Sequence, residues 1–122
     1  MSQNNFAGNA TTTALIVTAS CANTAAATSA AFDGRGYDSP VLITQNKGLG
    51  TGSLDGKIQM SMDGSTGWAD TGVSFVQATT AAGLQTVVLN PNGYQRYLRY
   101  VGTIVTGPQL LAVSVSGVKK YV

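Results

Sequence analysis

Over residues 54–62 two sets of side chains alternate without a slip. Leu54, Gly56, Ile58, Met60 and Met62 stand against Asp55, Lys57, Gln59, Ser61 and Asp63. Successive side chains on a strand point to opposite faces, so this period of two predicts a strand with one dry face and one wet face. The stretch runs into Asp63-Gly64-Ser65-Thr66-Gly67-Trp68, a glycine-punctuated turn closed by the only tryptophan. Such a turn sends the chain back antiparallel, and hairpins become the expected building unit. No obvious reactive group lies in the segment. It reads as framework and surface, in a protein that works by fitting against something.

The rest of the chain repeats the theme in shorter pieces. Strands are expected over 13–18, 41–44, 73–78, 84–89, 94–105 (the longest) and 110–116, with Pro40 suited to a strand start or an edge. In the strand over 73–78, Val73 and Phe75 face one way and Val76 the other. Residues 22–31 are dominated by Ala, Thr and Ser without a helical period, and predict a small-side-chain strand or extended segment. Asp33-Gly34-Arg35-Gly36-Tyr37 reads as a turn, and Lys47-Gly48-Leu49-Gly50-Thr51-Gly52 as a flexible glycine-rich loop. In Asn90-Pro91-Asn92-Gly93, Pro91 presets φ and Asn92-Gly93 tolerates positive φ. About eight short strands between such turns predict an all-β, antiparallel β-sandwich, jelly-roll-like, with a barrel as the alternative. The domain reading is a polar N-terminal arm over 1–11, unpatterned apart from Phe6, and a single sandwich domain over 12–122.

A chain of 122 residues buries about two thirds of its unfolded surface, enough for a core without disulfides. That matters because Cys21 is the only cysteine and no internal bridge can form. No apolar run approaches the ~18 residues of a membrane helix. The start Met-Ser-Gln-Asn-Asn-Phe lacks the basic residues and apolar block of a signal peptide. The expectation is a cytosolic origin without Sec export and no membrane partner.

The charge inventory narrows the chemistry. There is no histidine and no glutamate; the acids are Asp33, Asp38, Asp55, Asp63 and Asp70. Histidine-based triads, Cys–His pairs and Cys/His zinc sites are therefore unavailable. Gly48-Leu49-Gly50 lacks the helix and the downstream acid of a dinucleotide fingerprint. Asp63 and Asp70 are the nearest pair of carboxylates in an aromatic setting, which raises glycoside hydrolysis, and Asp63, Ser65 and Asp70 are oxygen ligands suited to calcium. The favoured reading has both aspartates capping turn amides. Cys21 has no partner base and reads as a small semi-buried residue. No catalytic, cofactor-binding or metal-binding residue is assigned, and the chain is read as a non-enzyme.

The aromatics allow two uses. Trp68 is either a platform for stacking a sugar or, as favoured, a lid over the end of the core. Tyr94, Tyr97 and Tyr100 interleave with Arg96 and Arg99, a pattern that in some proteins binds single strands. On a strand, Arg96, Leu98 and Tyr100 share one face while Tyr97, Arg99 and Val101 share the other, which splits the arginines and argues against a nucleic-acid partner. Net charge is −2 over residues 1–70 and +4 over 71–122, a hint of sidedness too small for a nucleic-acid binder.

The order of these pieces resembles a known class. The turn at 33–37, the strand at 41–44, the glycine loop, Leu54-Asp55-Gly56-Lys57-Ile58-Gln59-Met60-Ser61 and the Asp63–Trp68 turn come first. Gln95-Arg96-Tyr97-Leu98-Arg99-Tyr100-Val101, a Thr-Gly step at 106–107 and a β-rich last strand follow. Residues 30–122 in this order resemble the small β-sandwich decoration or cement proteins encoded among the head genes of tailed bacteriophages. That resemblance implies a virion structural protein on the capsid surface, assembled in the host cytoplasm. It implies the major capsid protein as partner, a homotrimeric state and no catalytic residues. The competing reading is a carbohydrate-binding or receptor-binding β-sandwich module of a phage tail or spike, resting on Trp68 and Tyr37.

Overall fold

The structure is a computed structural model and describes residues 10–37 and 40–118. Eight strands follow in chain order: β1 (Ala10–Cys21), β2 (Phe32–Asp33), β3 (Val41–Gly50), β4 (Ser53–Ser61), β5 (Ala69–Ser74), β6 (Gly83–Leu89), β7 (Tyr97–Val105) and β8 (Gln109–Val118). They form two four-stranded antiparallel sheets, ordered β1-β8-β3-β6 and β2-β7-β4-β5. Only β4 and β5 are joined within one sheet; every other connection crosses between sheets. This strand order is that of a jelly roll, and it bears out the expected all-β sandwich.

The inner faces supply the core. Val41, Ile43, Leu89, Leu111, Val113 and Val115 come from one sheet, and Leu54, Ile58, Leu98 and Tyr100 from the other. Phe75, just past β5, packs edge-to-face on Tyr100 with ring centroids 5.7 Å apart. Within the core, Gly56 of β4 lies opposite Gly102 of β7. A Cβ on Gly56 would collide with the Gln45 side-chain oxygen and the Tyr100 ring. The bare backbone therefore makes room for a polar contact between sheets: the Tyr100 hydroxyl donates to Gln45 Oε1.

Two turns match their sequence signatures. Gly34–Gly36 and Pro91–Gly93 are short 3-10 turns, each started by a side chain that accepts a backbone N–H two residues on: Asp33 from Arg35 and Asn90 from Asn92. The Asn92-Gly93 pair uses none of its tolerance for positive φ, which falls instead at Gly52, Gly64, Gly67, Gly72 and Thr106.

Other expectations need correction. β1 begins at Ala10, inside the segment read as an arm; residues 1–9 lie outside the described residues, as do 119–122 of the basic tip. β1, at 12 residues, is the longest strand, and β7 starts at Tyr97 rather than 94. Lys47-Gly48-Leu49-Gly50 is not a loop. It continues β3, with a bulge between Lys47 and Gly50 where the register with β8 slips. Residues 24–27 form a turn, and Thr28 then bridges Val101 on the open side of β7. β5 occupies Ala69–Ser74, earlier than 73–78, although Val73 and Phe75 do both face inward. The dry face of β4 ends early: Leu54, Gly56 and Ile58 are buried, Met60 only partly, and Met62 is exposed while Ser61 is buried.

Candidate functional site

The sheet β1-β8-β3-β6 differs in composition from its partner. Each of its strands carries a run of consecutive apolar residues: Leu15-Ile16-Val17, Leu110-Leu111-Ala112-Val113, Val41-Leu42-Ile43 and Val87-Val88-Leu89. On a pleated strand such a run puts apolar side chains on both faces, the pattern of a sheet covered on both sides. One face is the core. The other holds Val17, Leu42, Leu84, Val88 and Leu110, between 44 % and 75 % exposed. Leu42 and Val88 are direct cross-strand neighbours, and Leu84 lies opposite Asn46.

Small and hydroxylated residues, with Asn46, fill the rest of this face. Thr44 and Thr86 hydroxyls lie 3.3 Å apart across β3 and β6, and Thr12 and Ser116 hydroxyls 3.0 Å apart across β1 and β8. These groups bond sideways to each other and lose little when water leaves. A shallow groove of about 280 Å³ crosses all four strands, from Val17 and Ala14 past Ala112 and Thr44 to Leu84. The four strands contain one charged residue, Lys47, and it points into the core at 2 % exposure. Its ammonium donates to the Gly48 and Ala81 carbonyls at 3.0 Å, and burial pushes its pKa down. The outer face is thus free of charge, with exposed apolar side chains set among hydroxyls and Asn46. Its removal from water desolvates no ion.

The opposite outer face is charged and internally wired. Lys57 pairs with Asp70 at 3.1 Å, Gln59 donates to Asp70 and accepts from Arg99, and the Arg99 guanidinium lies over the Trp68 ring, 4.2 Å from its centroid. Trp68 is half-buried on this face and is not part of the core cluster, so the expected lid over the core end is not its role. Arg99 occupies one face of the ring, where a sugar would stack. Tyr37, the second residue of the glycan reading, is buried beside Phe32.

The aspartates behave differently from each other. Asp63 does cap its turn, accepting from the Ser65 and Thr66 amides and from the Ser61 and Thr66 hydroxyls; those bonds hold its carboxyl far below the usual range. Asp70 caps nothing. It is held low by Gln59 and Lys57. Both are ionised at neutral pH, and neither is poised as the protonated acid that glycoside hydrolysis needs. Among the described residues no three of His, Cys, Asp and Glu gather in one place. Cys21 is buried, its thiol directed at the Ala19 and Ala26 carbonyls and its pKa raised by burial.

Arg96 and Asp33 form a forked pair, with Nη2 to Oδ2 at 2.9 Å and Nε to Oδ1 at 3.2 Å, and Asp33 is held low chiefly by that bond. As the strand parity requires, Arg99 projects to the wet side of β7 while Leu98 and Tyr100 project inward. Burial pushes the Tyr100 hydroxyl well above the ordinary tyrosine range. Comparison with protein-family models, curated proteins and solved structures finds no match to this chain. The sequence analysis does not single out the apolar outer face: the apolar runs in its four strands signal apolar side chains on both sides, but which of them are neighbours follows only from the register.

Proposed function

We propose that this chain is a non-enzymatic structural protein of a tailed-bacteriophage head, a decoration or cement protein that docks on the major capsid protein and stabilises the shell. The observation that supports it is the uncharged apolar face of β1-β8-β3-β6, with Leu42, Val88, Leu84 and Val17 in solvent. A soluble domain that leaves such a face open has a surface for another protein.

Magnitudes favour a lattice over a simple pair. Four strands of 12, 10, 10 and 7 residues, spaced about 4.8 Å apart and rising about 3.3 Å per residue, span roughly 600 Å² of flat area. A standard interface buries about 800 Å² per partner. One face alone is therefore a weak contact, and repetition over a shell multiplies it through effective concentration. A homotrimer adds to the buried area and covers the edge strands.

The test is co-sedimentation with purified capsid shells of the phage that encodes the chain. Docking predicts saturable binding that is lost in Leu42→Asp/Val88→Asp with the fold intact by circular dichroism. Equal binding by that variant would remove the face from the proposal, and absence of binding by the unaltered chain would remove the capsid.

A further inference from the structure

A second surface lies at the end of the sandwich where β4 finishes and β7 begins. There a cleft of about 520 Å³ is lined by Met60, Met62 and Tyr94 on its apolar side and by Arg35, Gln95 and Arg96 on its polar side. Three properties define what it fits. First, its charge is unbalanced by one. Arg96 is neutralised by Asp33, whereas Arg35 donates only to the Pro91 and Tyr94 carbonyls and makes no ion pair among the described residues. Second, Gln95 Oε1 is buried and has no donor. An acceptor in that state is costly until an N–H reaches it. Third, Met62 is 77 % exposed beside the half-buried Met60. Flexible thioethers adapt to apolar side chains of varied shape.

We infer that this cleft receives an extended peptide segment of a protein partner, an apolar side chain lying on Met60 and Met62 and the carboxylate of a neighbouring Asp or Glu on Arg35, with the Gln95 side chain turning outward so that its buried, donorless Oε1 accepts a backbone N–H. Charge complementarity selects this occupant. Among the described residues Arg35 is the one cation of the cleft without an ion pair, which matches one carboxylate, whereas a polyphosphate would call for several. An inorganic anion has nothing to lay on the apolar floor of Met60, Met62 and Tyr94, whereas a peptide brings an apolar side chain and backbone N–H groups together. The inference rests on the docking reading only in taking the partner to be a protein; the cleft is separate from the apolar sheet face.

The test uses the full chain, labelled for NMR at methionine methyls and side-chain amides, titrated with the capped pentapeptides Thr-Leu-Asp-Leu-Thr and Thr-Leu-Asn-Leu-Thr and with inorganic phosphate. The acidic peptide is expected to shift the Met60, Met62 and Gln95 signals and to bind about ten-fold more tightly than its amide counterpart, a difference of about 1.4 kcal/mol. Arg35→Gln should abolish that preference. Because Arg35 also ties down the 91–94 turn, Met62→Asp serves as a second variant; it is exposed, leaves the turn intact and should weaken the acidic peptide at least ten-fold. Equal affinity for both peptides, no shifts up to millimolar peptide, or the same shifts with phosphate alone would each overturn the inference. Leu42→Asp/Val88→Asp should bind the peptide normally, so failure here and failure of capsid docking are read separately.

Discussion

The Tyr100 hydroxyl donates to Gln45 Oε1 at 2.5 Å, tying β7 of one sheet to β3 of the other inside the core. Both residues are buried, so removing the donor strands an acceptor in an apolar surround. Tyr100→Phe is expected to cost about 1–3 kcal/mol in urea unfolding. Gln45→Met in the Tyr100→Phe background should recover part of that loss, since two apolar groups leave nothing unpaired. A Tyr100→Phe variant as stable as the parent would show that the bond contributes nothing net.

Glycine substitutions separate close approach from ordinary turn geometry. Gly56→Ala drives a methyl into Gln45 and Tyr100 and should destabilise by about 1–3 kcal/mol. Gly93→Ala meets open space at an ordinary φ and should be neutral or stabilise by up to about 1 kcal/mol. Thermal unfolding of the two variants beside the parent checks the contrast.

Trp68→Ala should leave the fold standing. The ring is half-buried under Arg99 rather than packed in the core, so the expected loss is about 1 kcal/mol, the scale of a partly exposed cation–π contact. A loss above about 3 kcal/mol, the cost of deleting a core aromatic, would return Trp68 to the core.

Acid should weaken the protein through its aspartates. Asp33, Asp63 and Asp70 all have folded pKa values below the ordinary 3.8. A depressed carboxyl contributes stability that is fully present above 3.8 and lost as pH falls from there toward the folded value. Urea midpoints should thus hold steady from pH 7 to 5 and fall below pH 4. Asp63→Asn should flatten the fall, because Asp63 has the largest shift.

The sandwich was legible because β4 alternates over 54–61 with one glycine on the dry side, and because the 33–37 and 90–93 turns carry their capping Asp and Asn. β5 was misplaced because Ala69-Asp70-Thr71-Gly72-Val73-Ser74 is a mostly exposed edge strand held by backbone pairing to β4. The apolar residues 73, 75 and 76 drew the reading later. Gly48 and Gly50 read as loop, yet they serve a bulge. A Cβ on Gly48 would strike Leu110, and one on Gly50 would strike Gln109. A tryptophan closing a turn reads as a cover for the core end, and no local pattern shows that Arg99, far along the chain on β7, stands over its ring. The apolar outer face needed the register, since only pairing shows that Leu42 and Val88 are neighbours on the side away from the core.

The most direct measurement of the proposed docking function is cryo-electron imaging of purified capsid shells incubated with this chain and with Leu42→Asp/Val88→Asp. Docking through the apolar sheet face predicts ordered added density on the shell with the unaltered chain, with β1-β8-β3-β6 turned toward the capsid protein, and bare shells with the variant. Bare shells in both samples, or added density seated through the charged β2-β7-β4-β5 face, would contradict it.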